Sequence, residues 1–160
     1  MATRTVTSKD WMKPFRGKLR CAAYPEGATQ SFKIGAPVIL SSVSGQETSV
    51  ITAAADPETR ILGLAAEAAT GTTGSMISIW IADSDAEFMG VIEDGAALLR
   101  TNVDTLYALV YDSTNTIWRV DTSDTSHDSV VVTSLIDDVG TVNGRVSFAF
   151  IPGVRAPYRG

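Results

Sequence analysis

The feature that most constrains this fold is a series of short apolar or alternating segments, each closed by turn-forming residues. Strand-like segments of this length at near-regular spacing are typical of an all-β domain. We therefore predict a single small β-barrel or sandwich of about eight or nine short strands. The segments that predict strands lie at 36–41, 48–53, 60–65, 75–81, 88–92, 106–111, 117–120, 130–135 and 145–151.

The segment 75–81 gives the clearest alternation. Ile77, Ile79 and Ile81 share one face of an extended strand, and the residues between them, including Trp80, share the other. This pattern predicts a half-buried strand with Trp80 on its outer side.

Local signals predict three connections between these strands. Residues 112–115 form a turn between two strand-like segments, which predicts a hairpin. Asn143 and Gly144 form the dipeptide that favours a two-residue type I′ turn. Asp94 is a suitable N-cap for a short helix over residues 95–100.

Charge divides the chain into two parts. Residues 1–20 contain six basic side chains and one acid, whereas residues 21–154 contain five basic side chains and seventeen acids. Pro14, Gly17 and Pro25 leave no room for a useful helix near the N-terminus. We therefore predict an extended basic arm over residues 1–30 and a β body over residues 31–160.

The basic arm also carries Trp11, Met12 and Phe15, whose apolar surface gains nothing from exposure to water. These side chains predict that the arm is buried against a partner or against the parent body, with a solubilising disordered tail as the alternative. The candidate capsid or oligomer interface residues are Arg4, Lys9, Trp11, Lys13, Phe15, Arg16, Lys18, Arg20, Trp80, Tyr158 and Arg159.

The sequence offers few residues for catalysis. Its one histidine, His127, lies in a polar loop, where the adjacent Ser126 and Asp128 cannot form a catalytic triad with it. A single cysteine, Cys21, excludes an internal disulfide or a cysteine-rich zinc site, and we expect it to be a buried or half-buried free thiol. We therefore expect no enzymatic activity and no cofactor.

The acidic residues do not predict a metal site. Asp83, Asp85 and Glu87 begin a segment that faintly resembles a calcium loop, but Phe88 occupies the position that requires glycine. A turn between strands is the simpler interpretation. The acidic body also argues against direct nucleic-acid binding, and no apolar run approaches the roughly 20 residues that cross a bilayer.

The order of several segments from about residue 35 to 153 resembles the β-rich head decoration (cement) proteins of tailed bacteriophages. The segments that carry this resemblance are Gly35–Val38, Arg60–Ala69, Ile77–Trp80, Thr105–Leu109, Trp118–Asp121 and Gly144–Phe148.

The resemblance implies a structural virion protein that binds the outer surface of the capsid and braces the expanded head. Its expected partners are the major capsid protein and further copies of itself, as a trimer in preference to a dimer. It would be made in the host cytoplasm. The alternatives are a tail-tube or head–tail connector subunit, or a carbohydrate-binding module with stacking rings at Trp80, Tyr107, Tyr111 and Trp118.

Overall fold

The computed structural model describes residues 2–41, 50–52, 61–83 and 85–152, with only the backbone described for 50–52. These residues form eleven strands and a single turn of 3₁₀-helix at Arg100–Asn102. The strands are β1 Lys13–Gly17, β2 Cys21–Pro25, β3 Pro37–Leu40, β4 Val50–Thr52, β5 Ile61–Ala65, β6 Met76–Ile81, β7 Ala86–Val91, β8 Leu106–Asp112, β9 Ile117–Asp121, β10 Val130–Leu135 and β11 Arg145–Phe150.

The strands form two sheets, and all pairs between named strands are antiparallel. One sheet has the order β1-β7-β11-β10-β8-β9, and the other has the order β2-β6-β5-β3-β4. This arrangement confirms the all-β prediction and is sandwich-like, because neither sheet closes into a barrel. The predicted hairpin is present as the β8–β9 pair.

One cluster of buried apolar side chains includes residues from both sheets. In the six-stranded sheet, the ring of Phe88 lies 6.1 Å from that of Phe148 and 5.7 Å from that of Phe150. From the five-stranded sheet, Ile77 and Ile79 are almost fully buried, as the alternation predicted. The burial of these side chains stabilises the contact between the sheets.

Residues near the N-terminus belong to both sheets. Strand β1 pairs with β7, and β2 pairs with β6. The sequence predicts an extended arm here, and Pro14 and Pro25 cannot donate to a strand ladder. Both strands lie at sheet edges, where one side of the strand needs no donor and proline is tolerated. Cys21, expected to be at least half-buried, is exposed on β2 because this edge position leaves it uncovered.

Met12, just before β1, is fully buried. Two glycines make room for it. A Cβ on Gly90 would lie 3.2 Å from Met12 Cγ, and a Cβ on Gly35 would lie 2.5 Å from the Met12 carbonyl oxygen. Because Met12 packs in this way, β1 is held to the body by a side chain as well as by backbone pairing.

Two predicted local structures are wrong. The segment after Asp94 is not helical at its start, because Gly95 has φ of 77°, in the left-handed region. Asn143 and Gly144 do not form a type I′ turn: Asn143 has a positive φ, but Gly144 does not. They end a longer connection between β10 and β11, in which the Asn143 side chain accepts a hydrogen bond from the Gly95 amide at 2.9 Å.

Arg119 links β9, at the edge of the six-stranded sheet opposite β1, to β8 and to the end of β7. Its side chain is almost completely buried, and its Nε donates to Asp112 at 2.7 Å. Its Nη1 donates to the carbonyl of Ile92, at the end of β7, at 3.0 Å. The backbone of Ile92 also forms a parallel bridge with Val120. The sheet therefore curls so that β9 approaches the end of β7.

Candidate interaction surface around Trp11

Strand β1 and the residue pair before it carry two aromatic rings with cations beside them. Lys13 Nζ lies 5.2 Å from the centre of the Trp11 ring, and the Arg16 guanidinium lies 5.4 Å from that of Phe15. The Phe15 residue is 41% exposed. Partly exposed rings of this kind, stacked with cations, are common at protein interfaces.

The pairing of β1, β7 and β11 places a further cation on the same face. Lys13 is opposite Met89, and Arg145 is opposite Val91. Since alternate residues of a strand point to the same side, Lys13, Met89, Val91 and Arg145 share the outer face of the six-stranded sheet. Met89 and Arg145 were not predicted as site residues, because only the strand register brings them beside β1.

The N-terminal residues Ala2 and Arg4 are held near this outer face by backbone hydrogen bonds to Val142. Arg4 donates its backbone amide to the carbonyl of Val142 at 3.0 Å, and Val142 donates to Ala2 at 2.9 Å. The Arg4 side chain forms an ion pair with Asp10. Burial raises the pKa of Asp10, but hydrogen bonds from Arg4 and Thr7 outweigh this effect and leave it below its usual value.

Arg145 forms a two-pronged ion pair with Asp137. Its Nη2 and Nε donate to the two carboxylate oxygens at 2.6 and 3.0 Å. These hydrogen bonds lower the pKa of Asp137 and raise that of Arg145, and the positive charge of Arg4 lowers the Asp137 pKa further. Asp10 likewise helps to raise the Arg145 pKa. The two ion pairs are therefore electrostatically coupled.

A small cavity of about 50 Å³ lies among these groups, and we call it the cationic recess. Its lining includes Arg4, Asp10, Trp11, Lys13, Met89 and Arg145. The lining carries three cations and one carboxylate, and Asp137, which pairs with Arg145 from outside the lining, supplies a second carboxylate. Within the described part of the chain, Lys13 has no carboxylate partner, and the buried Nη1 of Arg4 has no hydrogen-bond partner. The recess therefore has an excess of positive charge.

A second, larger cavity of about 280 Å³ also includes Trp11 in its wall, and we call it the apolar cleft. It is lined by Ser8, Trp11, Lys33, Ile34, Ala68 and Thr116. Thr116 has φ of 57°, a left-handed conformation that is rare for a β-branched residue. Trp11 thus separates a cationic recess from an apolar cleft.

The other predicted interface residues are more scattered. Lys9 and Lys18 are exposed, Arg16 pairs with Glu87, and Arg20 pairs with Asp83 at 3.2 Å. Trp80 lies in the other sheet, half-buried against the core cluster. Tyr158 and Arg159 lie outside the described residues. The structure therefore brings together Arg4, Trp11 and Lys13, with Phe15 and Arg16 on the same edge strand, and separates them from Trp80.

The four rings considered for carbohydrate stacking do not share a surface. Tyr107 and Trp118 are buried at 4% and 7% exposure, so little of either ring is free for a sugar. Tyr111 is exposed and packs 5.6 Å from Trp118, whereas Trp80 belongs to the five-stranded sheet. Core packing thus accounts for most of their apolar surface.

His127 is in an exposed loop, as predicted. Its Nδ1 lies 2.7 Å from Asp124 and 3.2 Å from the Ser126 hydroxyl. Because both partners contact the same ring nitrogen, this arrangement differs from a catalytic triad, in which they contact opposite nitrogens. Hydrogen bonds from Ser126 and His127 lower the pKa of Asp124 well below its usual range.

Within the described ranges, no three histidine, cysteine or acidic side chains converge as metal ligands. No helix in the described part of the chain has the length and apolar character needed to cross a membrane. Comparisons with family models, curated proteins and solved structures returned no match to this chain. What the chain does must therefore be inferred from its surface chemistry and from its sequence pattern.

Proposed function

We propose that this chain is a non-enzymatic structural protein that docks onto a larger assembly through the surface around Trp11. Together with the sequence resemblance, this surface supports a role as a decoration protein of a tailed-phage head. In that role the protein binds the outer capsid surface as a homotrimer, bridges major capsid subunits and stabilises the expanded head.

The observation that carries the docking proposal is the pair of cation–aromatic contacts along β1. Phe15 lies on the paired strand β1 and Trp11 lies two residues before it, with Arg16 and Lys13 beside their rings. Side chains that are already ordered lose less entropy on binding than side chains of a free tail. Aromatic and arginine side chains also dominate the binding energy of many interfaces.

The charge distribution supports the same orientation. Residues 1–20 have a net charge of +5 (six basic side chains and one acid), and residues 21–154 have a net charge of −12 (five basic side chains and seventeen acids). A basic docking face steers the protein to an acidic partner, while acidic outer surfaces on neighbouring particles repel each other. We expect the rings to set how long the protein stays bound and the charges to set how fast it binds.

Particle binding tests this proposal. Heads that lack the protein are incubated with wild type, Phe15→Ala or Tyr111→Ala, and the bound copies are counted by gel densitometry. Phe15 and Tyr111 are matched aromatic residues, at 41% and 45% exposure, and three strands separate β1 from β8 in the sheet. We expect about tenfold weaker binding or more for Phe15→Ala, the usual effect of losing an interface anchor, and little change for Tyr111→Ala.

Equal binding by wild type and Phe15→Ala would contradict docking through this edge. Trp11→Ala and Lys13→Ala supply a second comparison, in which the tryptophan variant should lose more occupancy. Decorated heads should also release DNA at a higher temperature than bare heads. Ring or tube formation by the isolated protein would instead favour a tail-tube or connector subunit.

A further inference from the structure

We propose that the two cavities beside Trp11 act together as a receptor for an acidic segment of the partner protein. The cationic recess receives a carboxylate, and the apolar cleft receives an adjacent aliphatic side chain. This inference rests on the proposed docking function and names the chemistry of the partner.

The cationic recess is short of one negative charge. Asp10 and Asp137 pair with Arg4 and Arg145, but Lys13 has no carboxylate among the described residues. A volume of about 50 Å³ exceeds what one water needs and suits a small group such as a carboxylate.

The apolar cleft has the size and lining for a side chain. Its volume of about 280 Å³ lies below that of most pockets that enclose a drug-sized ligand. Trp11, Ile34 and Ala68 supply apolar walls, and Lys33 adds a further positive charge. An aliphatic side chain with acidic neighbours therefore matches both the walls and the charge around them.

A protein segment fits this surface better than a nucleic acid does. A nucleic acid presents a row of phosphates, whereas the recess has an excess of one cation and the chain from 21 to 154 has a net charge of −12 (five basic side chains against seventeen acids). Such a body repels a polyanion. A single carboxylate next to an apolar group meets the local positive charge and avoids most of this repulsion.

Peptide titration followed by NMR tests the inference on the full chain. The probe is a seven-residue synthetic peptide with an aspartate–leucine–aspartate core between glycine and serine residues. The signals to follow are the indole N–H of Trp11, a residue that lines both cavities, and the amide of Gly90, which lines the cationic recess. We expect both signals to shift, with a dissociation constant of about 1 mM.

Two altered peptides separate the two cavities. Asparagine in place of both aspartates removes the charge, and serine in place of leucine removes the aliphatic group. Each change should weaken binding about tenfold or more, which is the value of one charge-assisted contact or one buried aliphatic side chain.

Substitutions in the protein test the same two cavities. Lys13→Glu reverses the unpaired charge, and Ala68→Phe fills the cleft from an exposed position. Both should weaken binding of the parent peptide about tenfold. Lys18→Glu makes the same charge change at an exposed residue outside both cavities and should leave binding within about twofold of wild type. Unchanged thermal melting of the variants verifies that they are folded.

The results separate this inference from the proposed function. Heads that bind wild type, Lys13→Glu and Ala68→Phe equally would overturn the receptor while leaving docking intact. Peptide binding by a protein that ignores phage heads would support the receptor and refute the decoration role. Absence of any Trp11 shift at about 10 mM peptide, or stronger shifts with single-stranded DNA, would overturn the inference.

Discussion

Met12→Ala tests whether the N-terminal segment is an integral part of the fold. Met12 is fully buried, and it packs against the Gly90 position beside the Phe148 ring. Truncation leaves a cavity lined by β7 and β11 that the sheet backbone cannot easily close. Large-to-small substitutions at such sites lower the free energy of unfolding by about 2–5 kcal/mol.

Urea denaturation followed by circular dichroism measures this loss. With a denaturant slope of about 2 kcal/mol per molar, the midpoint should fall by about 1–2.5 M while the slope stays the same. Phe15→Ala, three residues along the chain, is the control: the Phe15 residue is 41% exposed, so its truncation should cost about 1 kcal/mol or less.

A midpoint change below about 0.25 M for Met12→Ala would refute the reasoning, because it would mean that Met12 is solvated in the folded protein. Residues 1–20 would then be removable without loss of the body. The structure leads us to expect the opposite result, since that deletion removes β1 and Met12 together.

Three further predictions concern buried or paired charges. Glu26 is fully buried and accepts hydrogen bonds from Thr70 N, Thr70 Oγ1 and Gly71 N, each at 2.8 Å. Glu26→Gln should therefore lower the free energy of unfolding by about 1–3 kcal/mol, measured by urea titration, and should speed hydrogen exchange of the Gly71 amide. Arg119→Ala should cost about 3–5 kcal/mol, because it leaves Asp112 without its buried partner, and a loss below 1 kcal/mol would contradict that account. Arg145 lowers the folded-state pKa of Asp137, so the ion pair between them contributes to the free energy of unfolding. This contribution is complete above the unfolded pKa of about 3.9 and is lost as the pH falls through the folded-state pKa. Asp137→Asn should therefore be less stable than wild type at pH 7, and the difference should shrink below about pH 4; a constant difference across this range would rule out the ion pair as its source.

The sequence was sufficient to predict the strands that bury one face or both. Ile77, Ile79 and Ile81 alternate with more exposed residues, and the five residues of β5 are all buried. Such patterns can be recognised within a single short segment of the sequence, because they depend only on the order of apolar and polar side chains. The helix predicted after Asp94 is absent because Gly95 adopts a left-handed conformation. Glycine permits this conformation, but its presence in the sequence does not specify it.

The edge strands and half of the candidate site were not predictable in the same way. Pro14 argues against a strand unless it is known that β1 lies at an edge, and that position depends on the whole topology. Trp11 and Lys13 were identified as an aromatic and a basic residue of the N-terminal basic segment. Arg145 joins them only through the pairing of β1 with β7 and of β7 with β11, which links residues more than 130 positions apart.

The irregular edge formed by β1 affects how copies of this protein could associate at high concentration. Pro14 removes one backbone donor, and the register of β1 shifts between Pro14 and Arg16. An uninterrupted edge would invite the same strand of a neighbouring molecule to add to the sheet, and repetition of that step produces fibrils. The bulge and the missing amide interrupt such growth at this edge, so crowded copies can lie side by side there without polymerising through their backbones.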